Sequence, residues 1–217
     1  TTVYQKSSAV IDSWGAYNTF KGNTIILRHT TEEEIGPKEC MGLNEYHSTI
    51  VNNTLVGATY TGLSLGGRPT ENEQYGLNII SRNTISNNEI GLYLSTLVTT
   101  IGKNTITQNN FINNSDHAGF TISVLNPFDL INVILSQHRI PFSQWDGNYW
   151  DDYTGHLGRK IPGKIQFFST KFSIPLRNVD RHPALGPIYS KKELVSTTSD
   201  ITSNVLEKYS ERTLTWG

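Results

Sequence analysis

A unit of roughly 25 residues recurs along this chain without helical periodicity, and that repeat limits the fold more than any single motif does. Aligned on one isoleucine, the copies fall at Ile25, Ile50, Ile80, Ile106 and Ile134, each two places after Asn23, Ser48, Asn78, Asn104 or Asn132. In the middle three copies Asn53, Asn83 and Asn109 follow three places later, and Leu55, Ile85 or Phe111 two places beyond those. These copies close on Gly62-Leu63-Ser64-Leu65, Gly91-Leu92-Tyr93-Leu94 and Gly119-Phe120-Thr121-Ile122.

Short alternating apolar and polar segments punctuated by Asn and Gly are strands separated by corners, so each copy reads as one rung of a parallel β-helix. Successive strand side chains point to opposite faces, which sends Ile80, Ile85, Leu92 and Leu94 inward and Tyr93 outward. Equivalent positions on adjacent rungs stack about 4.8 Å apart, and the five aligned isoleucines are expected to form one apolar column. Asparagine suits the corners, because it tolerates the left-handed backbone and because stacked amides bond from rung to rung. Composition opposes long helices: there are 20 Asn among 217 residues, and Asn, Ser and Thr compete with a helix for backbone hydrogen bonds.

A net charge of −1 leaves no electrostatic footprint for nucleic acid or for an anionic membrane surface. No run approaches the length of apolar sequence that spans a bilayer. Cys40 and Met41 are the one cysteine and the one methionine, which excludes an internal disulfide and leaves few soft metal ligands. The chain starts at Thr1, as a processed secreted protein or a fragment would, and an extracellular, cell-surface or periplasmic setting is the expectation. The triplets Asn52-Asn53-Thr54 and Asn113-Asn114-Ser115 make Asn52 and Asn113 glycosylation candidates, although such triplets arise readily by chance in a repeat of this composition.

The rungs are assigned to residues 1–142, with polar excursions at Thr31–Glu34 and Gly66–Glu73, where a β-helix would keep its specificity. Aromatic and proline density then rises, and 143–189 reads as a cap over the open end of the strands. Residues 190–217 form a tail. Ser199-Asp200 ahead of Ile201, Val205 and Tyr209 fits a short helix, with a plain linker as the alternative. A docking role for the tail, or end-to-end association of copies through uncovered strand edges, is a further expectation.

The densest polar cluster is Trp145, Asp146, Asn148, Tyr149, Trp150, Asp151, Asp152 and Tyr153. Aromatic faces beside carboxylates suit a sugar ligand, with Asp146, Asp151 and Asp152 as candidate Ca2+ ligands and no other cofactor expected. The competing reading makes the rings a plug for the coil and the aspartates caps for free backbone N–H groups. Glu89 and Asp116 fall at nearly equivalent points of adjacent rungs, eleven and twelve residues after Asn78 and Asn104, and are the candidate acid pair of a polysaccharide-cleaving enzyme.

The Asn-Thr-Ile and Gly-Leu-x-Leu units, followed by Trp145-Asp146-Gly147-Asn148-Tyr149-Trp150-Asp151-Asp152-Tyr153 and Asp180-Arg181-His182-Pro183-Ala184, resemble the NosD-type β-helix repeats over residues 15–189. The resemblance implies an all-β, single-stranded right-handed parallel β-helix, here of about five rungs, within a wider grouping of carbohydrate-binding proteins and sugar hydrolases. It also implies a link to copper delivery. For copper, His29 and His138 share a repeat position on distant rungs, and His47 with Cys40 and Met41 is the one soft-ligand grouping. The leading expectation is a structural or binding module, more a binder than an enzyme. Carbohydrate binding, polysaccharide cleavage and a copper accessory role are the alternatives.

Overall fold

The computed structural model describes residues 9–27, 37–66, 77–97, 103–126, 128–131, 142–167 and 172–188. His29, the Thr31–Glu34 excursion, Gly67 to Glu73, Asn132, Ile134, His138 and the 190–217 tail lie outside them. By internal contacts residues 1–187 form one compact unit and 188–217 a second.

The described chain is all-β but for one short helical turn near residues 128–131, and its strands stack in parallel as a solenoid with three faces. The first face carries the longer strands: β1 (Ala9–Ala16), β4 (Glu39–Tyr46), β7 (Thr61–Leu65), β10 (Ile90–Leu97), β13 (Asp116–Val124) and β16 (Arg159–Phe167). The second carries β2 (Thr19–Lys21), β5 (Thr49–Val51), β8 (Ile79–Ser81), β11 (Thr105–Thr107) and β14 (Gln144–Asp146). The third carries β3 (Thr24–Ile26), β6 (Thr54–Val56), β9 (Thr84–Ser86), β12 (Asn110–Ile112) and β15 (Tyr149–Trp150). A last strand, β17 (Ser173–Asp180), runs antiparallel to β16 and meets β14 at Trp145, so it closes the end of the stack.

The core follows from strand alternation. Met41, Leu63, Leu92 and Ala118 stack on the first face, and Leu43, Leu65, Leu94 and Phe120 beside them. The isoleucine column differs from the expected one. Phe20, Ile50, Ile80, Ile106 and Trp145 align on the second face, whereas Ile25 sits on the third with Leu55, Ile85, Phe111 and Trp150. Register explains the shift: two short strands on different faces both read Thr-Ile, and only pairing tells Thr24-Ile25 from Thr49-Ile50.

The strands also continue past residue 142. Trp145 pairs with Ile106 and Trp150 with Phe111, so the start of the segment read as a cap is coiled like the rungs before it. Its rings end the core: Trp145 and Trp150 are buried, and Trp150 stacks on Phe111 with ring centres 4.3 Å apart.

Between the second and third faces runs a ladder of side chains, Asn23, Asn53, Asn83, Asn109 and Asn148, buried from Asn53 onward. From Asn53 onward each Oδ1 accepts the backbone N–H and the Nδ2–H of the preceding member, at 2.9–3.0 Å throughout. Each Nδ2 from Asn53 onward also donates to a main-chain carbonyl one coil back: Phe20, Ile50, Ile80 or Ile106. Shorter ladders mark the other corners, with Ser48, Asn78 and Asn104 at one and Asn88 and Asn114 at the other.

The left-handed residue is the one before the ladder position: Gly22, Asn52, Arg82, Gln108 and Gly147 at the main corner, Gly57, Asn87 and Asn113 at the next. Ladder asparagines are therefore selected for their amides rather than for a tolerance of positive φ. At Gly57 the requirement is absolute, since a Cβ would stand 2.3 Å from the Leu27 carbonyl oxygen.

Candidate functional site

A ladder of amides has a direction, and its last member holds two donors that need an acceptor. Asp180 supplies it. Its Oδ2 accepts the Asn148 backbone N–H at 3.1 Å, the Asn148 Nδ2–H at 2.9 Å and the Trp150 indole N–H at 3.0 Å. Asp180 is fully buried, and its role is to end the ladder. Asn148, one of the expected ligand-binding residues, spends its amide on the same ladder. Trp145 and Trp150 turn their faces into the core instead of toward solvent. Tyr149 and Tyr153 are half-buried, Tyr149 bridging to Ala184 and Tyr153 packed on the core.

The three expected calcium ligands separate into two groups. Asp151 and Asp152 converge on His117, whose Nε2 lies 2.9 Å from Asp151 Oδ1 and 3.2 Å from Asp152 Oδ1. Arg159 Nη2 holds the other oxygen of Asp152 at 2.9 Å, with its guanidinium over the Trp150 ring. Asp151 Oδ2 accepts the backbone N–H of Asn113. Asp146 stands apart, its Oδ1 2.6 Å from His182 Nδ1.

His117, Asp151 and Asp152 are the one group of three metal-ligating side chains among the described residues. His117 escaped the sequence reading because a lone histidine in a strand carries no motif. Its cue is position, since it points inward three residues after the ladder residue Asn114, at the rung that Asp151 and Asp152 overlie.

Ring orientation decides what this group does. His117 Nδ1 lies 3.3 Å from Asn114 Nδ2, which is only a donor. Asn114 cannot flip, because its Oδ1 accepts from Asn88 N and Nδ2 and its Nδ2 also donates to the Ile85 carbonyl. Nδ1 is therefore the acceptor, and Nε2 carries the proton toward the two carboxylates. A metal-binding histidine shows the reverse, with its second nitrogen donating to an acceptor. Nitrogen and oxygen donors suit copper(II) in type, but the donor facing Nδ1 means that this trio does not fit the ion as arranged. It fits a clasp that fastens the 151–159 segment to β13.

The other copper grouping is dispersed. Cys40 and Met41 are buried, and the Cys40 thiol donates to the Val56 carbonyl. Burial pushes that thiol up to about 11, so it stays protonated. His47 lies at a corner and stacks on Tyr17.

Glu89 and Asp116 are both exposed, but Asp116 pairs with Ile90, one residue out of step with Glu89. Glu89 lies in the bend just before β10, and its carbonyl accepts the Asp116 backbone N–H at 2.8 Å. Asp116 borders a separate groove of about 360 Å3 with Tyr93 and Lys164. Asn52 and Asn113 are exposed corner residues, Asn113 Nδ2 donating to Asn87 Oδ1.

A cavity of about 510 Å3, open to solvent on one side, lies on the second face at the solenoid's closed end. It is lined by Lys103, the 142–146 segment and the 178–182 segment, and it contains the Asp146–His182 pair.

Residues 2–155 match the model of one protein family, described as periplasmic copper-binding protein (NosD). No curated protein and no solved structure matches the chain. The family description names copper, which does not agree with the expectation that no cofactor is needed. Among the described residues no helix is long and apolar enough to cross a membrane.

Proposed function

This chain belongs to the NosD family, whose description is periplasmic copper-binding protein, and from that premise we propose an extracytoplasmic β-solenoid module that binds a ligand at its closed C-terminal end. The observation that carries this reading is where the polar groups gather. Asp146, Arg181 and His182, together with Lys103, surround a cavity of ligand size at that end. The rung-borne carboxylates Glu89 and Asp116 support hydrolysis less well, since they stand out of register. End-to-end stacking of copies also has less support here, because β17 and Ala184 already pair with β14 and β15.

The test is a ligand array, run with and without Ca2+, alongside reducing-sugar release over a polysaccharide panel. Retention of a ligand without release of reducing ends is the expected outcome. Sugar release that disappears in Glu89→Ala or Asp116→Ala would overturn the reading in favour of an enzyme.

A further inference from the structure

We infer that the cleft beside β14 and β17 is a site for an oxyanion, a carboxylate, sulfate or phosphate group carried on a small organic molecule. Three observations meet there. First, Lys103 and Arg181 both line the cleft, and neither has an ion-pair partner among the described residues. The one carboxylate in the lining, Asp146, is already engaged with His182 at 2.6 Å. The cleft therefore carries surplus positive charge in a protein whose net charge is −1, so local placement and not overall composition produces it.

Second, Trp145 lines the cleft, is 2% exposed, and its indole N–H has no acceptor among the described residues. Its neighbour Trp150 makes that bond to Asp180, so this position is not one where the fold generally leaves indoles unpaired. A buried donor without an acceptor costs about 1–3 kcal/mol; the indole N–H is closed to solvent, so an oxygen in the cleft recovers that cost only if the Trp145 ring shifts to meet it. Third, Asp146 accepts from His182 Nδ1, which leaves Nε2 on the exposed ring as an acceptor suited to a hydroxyl of the organic carrier rather than to the oxyanion itself. Guanidinium and ammonium groups are the usual partners of oxyanions. The cavity of about 510 Å3 exceeds what an inorganic anion fills, which points to an organic acid or ester as the carrier.

This inference rests on reading the closed end as the binding surface. The test uses the full chain at low ionic strength, titrated calorimetrically with inorganic phosphate, sulfate, citrate and galacturonate, with chloride at matched ionic strength as the blank. Saturable binding of at least one oxyanion is expected, with a shift of one indole N–H resonance in the 15N–1H spectrum. The double variant Lys103→Gln/Arg181→Gln should lose about tenfold or more in affinity while keeping its thermal midpoint, since both residues are exposed. The arms separate the sources: phosphate and sulfate favour an ester, citrate or galacturonate a carboxylate. No saturation with any of the four, or equal affinity in the double variant, overturns the inference. A neutral glycan captured on the array in that case would leave the binding-module reading intact, whereas no capture of any kind would remove both.

Discussion

Replacing Asn83 by alanine should unfold a large part of the solenoid's stability margin. The amide of Asn83 accepts two hydrogen bonds from Asn53 and donates two, to the Ile50 carbonyl and to Asn109 Oδ1, all near 2.9 Å and all buried. Asn83→Ala strands three of those groups, the Asn53 backbone N–H, one Asn53 Nδ2–H and the Ile50 carbonyl, whereas Asn109 Oδ1 keeps the Asn83 backbone N–H. A stranded buried polar group costs about 1–3 kcal/mol. Three of them, with partial relaxation, amount to about 3–6 kcal/mol, against a typical domain stability of about 5–15 kcal/mol. Urea unfolding followed by tryptophan fluorescence reads this directly, because Trp145 and Trp150 are buried at the end of the same stack. Asn83→Asp sharpens the test. The introduced carboxylate keeps the two accepted bonds but sets oxygen against the Ile50 and Asn109 oxygens, so its pKa rises on folding. A group raised in this way stabilises the fold below its unfolded pKa of about 4 and loses that contribution as pH rises through the folded value. Asn83→Asp should therefore regain stability on acidification, while Asn83→Ala should not. A loss under about 1 kcal/mol for Asn83→Ala, or parallel pH profiles for the two variants, would refute the ladder as a source of stability.

Four further outcomes follow from the same geometry. Asp180→Ala, which strands the Asn148 amide and the Trp150 indole, should cost about 3 kcal/mol or more, and Asp180→Asn, which can present an oxygen to the same donors, should cost much less in the same urea assay. Gly163→Ala places a methyl 2.3 Å from the Phe120 ring and should destabilise by about 1–3 kcal/mol, with Phe120→Leu restoring part of the loss. The Cys40 thiol should resist a thiol reagent in the native protein at pH 8 and react at once in urea; since its pKa is raised to about 11, that contribution to stability is whole below pH 9 and fades between 9 and 11. Copper(II) should leave the thermal midpoint unmoved; a rise that vanishes in His117→Ala would show that the ring can present Nε2 to the ion despite the Asn114 donor.

The repeat and the strand alternation made the solenoid legible before any coordinates. Stacking a copy on its neighbour buries the same positions each time, so a local pattern is enough to specify it. The chain also pointed to the asparagines as architectural material, but it left the 145–153 aromatics between a sugar-binding patch and a plug for the coil. It could not say which Thr-Ile pair belonged to which face. Ile25 and Ile50 are alike locally, and only pairing with Leu55 or Ile80 tells them apart. The candidate site was less legible still. Asp180 reaches Asn148 across 32 residues, His117 reaches Asp151 across 34, and Lys103 and Arg181 line one cleft only where the last strand folds back beside β14.

Sequence by itself thus determined the coil, its inward-facing columns and the residue type at each corner, because periodic burial is a one-dimensional property that repeats in the chain. Tertiary structure alone decided the register of the columns, the carboxylate that ends the ladder, the orientation of the His117 ring and the charge of the end cleft. Each of those is a single contact between distant residues, and a single contact leaves no period to read.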